Sequence, residues 1–194
     1  MSFFEPLPPP PPERARQWAP PSWDRPSEGT LPAIVPVGEV VHRTDDVVVE
    51  LEQLRVYPNG FTINLFILTN PHVGQGRANY RMLGGAGPDQ ALRFPRIGVR
   101  FADGRTAGRE ANLGSNLDVA KDDRGIPTEP ILRMTGGGGG SDGYHFGVWV
   151  YPLPPDGPLD VYVSLPAADD PESKVVLDGA AVRSAAERAQ VIWR

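Results

Sequence analysis

Apolar residues recur at every second position on both sides of Tyr57-Pro58-Asn59-Gly60-Phe61, and this run constrains the fold more than any other feature. Val47, Val49 and Leu51 alternate with Val48, Glu50 and Glu52, the period of a half-buried strand. Past Gln53 the apolar parity shifts to Leu54 and Val56, which places a β-bulge or a twist there. An Asn-Gly pair between two apolar runs signals a hairpin. On the return strand Phe61, Ile63, Leu65 and Ile67 share a core face, while Thr62 and Asn64 point away.

Shorter signatures extend the pattern. Val37 to His42 precedes the hairpin, with Thr44-Asp45-Asp46 as its turn. Ile97 to Phe101 runs into Ala102-Asp103-Gly104-Arg105, a second hairpin. Ile131 to Met134, Phe146 to Tyr151, Leu159 to Leu165 and Ser173 to Leu177 complete the set, and Pro152 to Pro158 make a rigid connector between two of them. Short strands with turn chemistry between them predict an immunoglobulin-like antiparallel β-sandwich. One short C-terminal α-helix is expected over residues 180–189, capped by Asp178 or Gly179. The apolar Val191-Ile192-Trp193 after it predicts a buried C-terminus anchored by Trp193.

Proline divides the chain. Eleven of its 23 prolines fall in the first 36 residues, including the Pro8 to Pro12 run. Each fixes φ and removes a backbone donor, so residues 1–36 read as a proline-rich extended arm and 37–194 as the sandwich domain. Phe3, Phe4, Trp18 and Trp23 give the arm an unusual aromatic content. Trp18 and Trp23 are expected to lie against the body, and a proline-rich segment is also suited to dock into a partner's aromatic groove.

Composition narrows the function. The 194 residues hold no cysteine, which removes disulfides, thiolate metal sites and thiol chemistry. With 19 basic against 24 acidic residues, a nucleic-acid partner has no electrostatic support. No apolar run reaches the length of a membrane span, and Met1 to Pro6 lacks the pattern of a secretory signal, so no membrane association and a cytoplasmic location are expected. A structural component exported without a classical signal is a further reading.

Motifs with catalytic overtones fail on context. Gly136 to Gly140 lacks the lysine and following helix of a phosphate loop, and reads as a mobile tether between Met134 and Tyr144. His42, His72 and His145 sit on separate elements without metal-binding spacing. Ser141 and Asp142 near His145 lack a nucleophile elbow. Asp118, Asp122 and Asp123 miss the ligand spacing of an EF-hand and read as solvated loop carboxylates. No catalytic, cofactor-binding or metal residue is therefore assigned, and no cofactor is expected.

The aromatic residues of the last strands carry more weight. If Val148 and Val150 face the core, Trp149 and Tyr151 face out, joined by Tyr162 on the next strand. Such a face buries a partner, or is already covered by the helix, a loop or the arm. Trp18, Trp23, Trp149, Tyr151 and Tyr162 are thus the candidate partner-binding residues. The arm would stack on this surface in cis or on a neighbouring copy.

Several blocks are distinctive as a set: Phe3-Phe4-Glu5-Pro6 before the proline run, His42-Arg43-Thr44-Asp45, Tyr57 to Phe61, Val99 to Arg105, the polyglycine stretch leading to Trp149 to Pro155, and Leu177 to Trp193. In that order they make the chain similar to a family of actinobacterial proteins. No activity, cofactor or catalytic residue is established for that family, so the resemblance implies no site. Only two of the basic residues, Lys121 and Lys174, are lysines, which accords with a GC-rich genome. The functional expectation is a non-enzymatic binding or interaction module that contacts a protein partner, or itself, through the arm. The alternative is a small hydrolase or carbohydrate-active enzyme with its site in the long segments 71–93 and 104–129.

Overall fold

The structure, a computed structural model, describes residues 21–45, 47–70, 72, 95–109, 119–140, 143–165 and 172–193. The Pro8 to Pro12 run, Trp18, Asp118, the Ser141-Asp142 pair and nearly all of 71–93 lie outside the described residues.

The described chain is mostly β, with several antiparallel sheets and one short helix. Its strands are β1 (Thr30–Leu31), β2 (Ala33–Arg43), β3 (Val47–Tyr57), β4 (Gly60–Thr69), β5 (Arg96–Arg100), β6 (Thr106–Arg109), β7 (Ile131–Gly139), β8 (Gly143–Tyr151), β9 (Pro158–Ser164), β10 (Ser173–Asp178) and β11 (Gln190–Val191). The helix α1 spans Gly179–Ala186. A five-stranded sheet has the order β2-β3-β4-β8-β7, a four-stranded sheet the order β10-β9-β5-β6, and β1 pairs with β11 alone. Leu51, Leu54, Phe61, Ile63, Leu65 and Val148 of the larger sheet share one apolar cluster with Ile97, Val99, Leu159, Val161 and Val163 of the smaller. Burying these side chains is the main favourable term in the fold.

The alternation in β3 survives its parity change by a bulge. The register with β4 shifts between Leu51 and Gln53, which leaves Glu52 as the extra residue and returns Leu54 and Val56 to the core. At the hairpin tip Tyr57 pairs with Gly60, so the turn residues are Pro58 and Asn59, and Gly60 has no positive φ. Proline at the first turn position suits an ordinary type I geometry. Gly60 is required for another reason: a Cβ there would lie 2.6 Å from Trp149 Cη2 and would also overlap the Val150 carbonyl oxygen.

Three elements differ from expectation. Strand β2 begins at Ala33 and runs through Pro36, so the extended arm gives way to paired strand before residue 37. It tolerates proline because it is an edge strand, and a register shift between Pro36 and Glu39 carries Gly38 at φ +67°. The polyglycine stretch is no tether: Gly136 to Gly139 belong to β7 and pair with β8. The Tyr144 ring lies over Gly137 and Gly139, since a Cβ at Gly137 would stand 2.7 Å from its Oη and one at Gly139 2.7 Å from its Cδ2. One aromatic thus fills the space that two side chains would otherwise occupy, and Tyr144 itself packs on the core.

The C-terminus is the third difference. Helix α1 is capped by Asp178, whose carboxylate accepts from Ala180 N at 2.9 Å, and it buries Val182, Ala185 and Ala186. It stops at Ala186 because Gln190 and Val191 leave to pair with β1. Trp193 is no anchor; it is 75% exposed. The tail is held through its backbone instead, with Ile192 N and Trp193 N both donating to Gly29 O at 2.7 and 3.1 Å.

Candidate functional site

Alternation along β8 turns Phe146, Val148 and Val150 inward and Trp149 outward, yet Trp149 is fully buried. The cover is the last part of the arm, residues 21–29. Trp149 Nε1 donates to the Trp23 carbonyl at 2.9 Å, and Tyr57 meets the Trp149 ring edge-on with centroids 6.0 Å apart. Trp23 is itself buried. Its Nε1 donates to Gly125 O at 3.0 Å, and Lys121 Nζ stands 5.2 Å from its ring centroid, within cation–π range. Trp23, Tyr57, Trp149 and Ile131 are buried outside the main cluster, as a second small core on the outward face of the five-stranded sheet.

Polar groups lock this cover in place. Asn59, at the hairpin tip, donates through Nδ2 to Ser22 O and to Arg25 O (2.9 Å), and accepts at Oδ1 from Ser27 N at 3.1 Å and Ser27 Oγ at 2.8 Å. One amide thereby satisfies four groups of the arm, which identifies its orientation as well as its role. Asp24 forms an ion pair with Arg133 of β7. On the far side, the loop that receives Trp23 is closed by Asp122, whose Oδ1 accepts from Arg124 N and Ile126 N, both at 2.9 Å. The Ile126 N–H bond, followed by that of the Arg124 side chain, holds the Asp122 carboxyl below its ordinary value.

Beside the arm lies a groove of about 650 Å³. Thr62, Asn64 and Gly147 line it, as do Gly136 to Gly138 of β7, while Asp24, Arg25 and Pro26 of the arm form one wall. Gly147 is needed here, because its Cβ would stand 3.1 Å from the Thr62 methyl and would overlap Thr135 Oγ1. Of the three arginines at the groove, Arg25 pairs with Glu28 at 3.3 Å and Arg133 with Asp24. His145, also at the groove, stacks on Phe66 at 4.3 Å, and its Nδ1 lies 3.1 Å from Glu52 Oε2.

Of the candidate residues, the structure brings Trp23 and Trp149 together and separates the rest. Tyr162 does not share this face. The Pro152 to Gly157 connector carries the chain from one sheet to the other, so β9 and Tyr162 belong to the four-stranded sheet. There Tyr162 OH donates to Asp160 Oδ2 at 3.1 Å, with the Arg100 guanidinium 5.6 Å from its ring centroid. Tyr151 follows Trp149 on the same outward face but is only half-buried and does not line the groove. Trp18 lies outside the described residues.

Other candidates resolve into structural pairs. His42 is buried on β2 with Nδ1 2.9 Å from Ser173 Oγ. Among the described residues no three of His, Asp and Glu come together as metal ligands. No helix among them is long and apolar enough to cross a membrane. Sequence reasoning missed Asn59 as a clamp, because an Asn-Gly pair reads as turn chemistry alone, and missed Asp24 and Arg133, whose partnership is long-range. Asp160 was missed as well; the signal that could have found it is a carboxylate within an apolar strand, which requires a partner. No family model, curated protein or solved structure matches this chain.

Proposed function

We propose that this chain is a non-enzymatic, cytoplasmic binding module whose partner is a protein, engaged at the groove that the arm closes and through the proline-rich residues displayed ahead of it. The observation that supports the reading is the clamp itself. Residues 21–29 are held by Asn59, which bonds Ser22, Arg25 and Ser27, and by Trp23, while Asp24, Arg25 and Pro26 line the groove. The charged groups Arg133 and His145 at the groove are engaged in structural pairs, with Asp24 and Glu52, rather than set as a nucleophile and base. The architecture we infer is a two-layer sandwich, immunoglobulin-like in the broad sense. Its strands β2, β3 and β4 run as a meander in one sheet, whereas the early strands of immunoglobulin domains divide between sheets.

The test uses the full chain and its Asn59→Ala and Trp23→Ala variants as baits for capture from a host lysate. Each captured protein is then titrated against purified bait. Binding by the native chain that either variant weakens at least tenfold, while the variant still unfolds cooperatively, supports the reading. Equal binding by all three baits overturns it.

A further inference from the structure

The second groove lies on the outward face of the four-stranded sheet. Alternation and register place Arg96, Gly98 and Arg100 of β5 on this face, with Thr106 and Gly108 of β6, Asp160, Tyr162 and Ser164 of β9, and Lys174 of β10. A slot of about 530 Å³ runs along it.

Two polar residues on this outward face are buried, Asp160 at 6% and Ser164 at 4% exposure, and both are spent on organising neighbours. Asp160 Oδ2 accepts from Arg100 Nε at 3.1 Å, from Arg100 Nη2 and from Tyr162 OH, with Lys174 Nζ 3.7 Å away. Ser164 Oγ accepts from Arg96 Nη2 at 3.2 Å. Among the described residues Arg96 therefore meets a neutral hydroxyl rather than a carboxylate, and keeps most of its donors. Three cations face the carboxylates of Asp160 and Glu172.

The floor between the arginines is bare. Gly98 and Gly108 are opposite one another, and among the described residues a Cβ at Gly98 would meet nothing closer than 3.5 Å and one at Gly108 nothing within 4 Å. Neither has a positive φ, so the backbone does not demand glycine. Glycine within a strand weakens it, and it recurs where another backbone or a ligand approaches closely.

We propose that this slot receives an extended acidic peptide segment of a partner protein. Four steps of about 3.3 Å separate Arg96 from Arg100 along β5, roughly 13 Å. An extended segment lying along the strand directs side chains i, i+2 and i+4 to the sheet at the same spacing. Carboxylates at i and i+4 meet the two guanidiniums, whose planar forks match them, and a small residue at i+2 sits over Gly98. The site is separate from the arm-closed groove, so either stands if the other fails.

The test is fluorescence anisotropy of a labelled peptide with glutamate at every fourth position and serine and alanine between, titrated with the full chain. The control peptide carries glutamine for each glutamate. Binding that falls as salt rises, is absent for the glutamine peptide and weakens at least tenfold in both Arg96→Gln and Gly98→Val supports the proposal. If Gly98→Val does not fold, Arg96→Gln decides alone. Equal binding by the native chain and Arg96→Gln overturns it, as does equal binding of the glutamine peptide. Displacement of the peptide by inorganic phosphate at matching charge also overturns it, leaving a small-anion site. Binding seen only in an Asp169→Asn, Asp170→Asn double variant assigns the slot to the chain's own β9–β10 connection and overturns it too.

Discussion

The two sheets direct opposite kinds of surface away from their shared core. The five-stranded sheet sends out Tyr57, Trp149 and Ile131, and the chain seals them under residues 21–29. The four-stranded sheet sends out Arg96, Arg100, Tyr162 and Lys174, organised around a buried Asp160. Both faces come from the same strict alternation. Alternation therefore says which side chains leave the core, but not whether they remain wet. That second question is answered by what the chain lays across the face. On one side the answer is an aromatic lock, on the other a charged slot with a glycine floor.

The largest expected effect falls at Trp149. Trp149→Ala removes a fully buried indole, its hydrogen bond to Trp23 O and the wall against Gly60, and is expected to cost about 3–5 kcal/mol in urea unfolding. Tyr162→Ala, on the open face, is expected to leave the unfolding midpoint close to native. If both variants lose comparable stability, the two faces are equally structural and the contrast fails.

That contrast also marks how far the sequence carries. The Val47 to Leu68 hairpin, the Glu52 bulge and the Asp103-Gly104 turn were legible because each signal is local and each has one physical meaning. The polyglycine strand was not, because glycine reports conformational freedom, whereas here it makes room for the Tyr144 ring. Trp193 misled for a related reason: an apolar tail suggests burial, yet backbone bonds to Gly29 suffice to hold it. In the site, outward-facing Trp149 was legible from period two. The arm was legible as a cover through Trp23, but the contacts that fix it were not, since Asn59, Asp24 and Arg133 meet through long-range contacts that no spacing encodes.

Glycines on the two faces are expected to respond with opposite signs. On the sealed side, Gly60→Ala forces a methyl into the Trp149 ring and is expected to cost about 1–3 kcal/mol by overpacking. On the open side, Gly108→Ala meets no other atom of the described residues within 4 Å and is expected to stabilise by about 0.5–1 kcal/mol, since alanine loses less chain entropy on folding. Opposite signs in denaturant midpoints support the view that one glycine serves packing and the other leaves an open floor. Matching signs count against it.

Between those two glycine effects falls the clamp. Asn59→Ala leaves the Ser22 and Arg25 carbonyls and the Ser27 donors without their partner, at an expected cost of about 1–2 kcal/mol. Because these groups are near the surface, water replaces part of what is lost. The sharper readout is limited proteolysis, which should cut between residues 21 and 29 much faster in the variant while the sheets remain resistant. Unchanged cleavage would mean that Trp23 alone holds the arm.

The smallest expected effect is acid titration of the open face. The Arg100 hydrogen bond, helped by Tyr162 OH and Lys174, holds the Asp160 carboxyl below its ordinary value despite desolvation. A carboxylate with a depressed folded pKa binds fewer protons folded than unfolded at intermediate pH, so its contribution is intact above about pH 4, the unfolded value. That contribution declines as the pH falls through the folded pKa. Thermal unfolding of the native chain should accordingly lose stability below about pH 4, whereas Asp160→Asn should begin less stable at neutral pH and show a shallower acid limb. Parallel acid limbs would show that Asp160 is not what organises this face, and that Arg100 and Tyr162 hold their positions by the strand backbone alone.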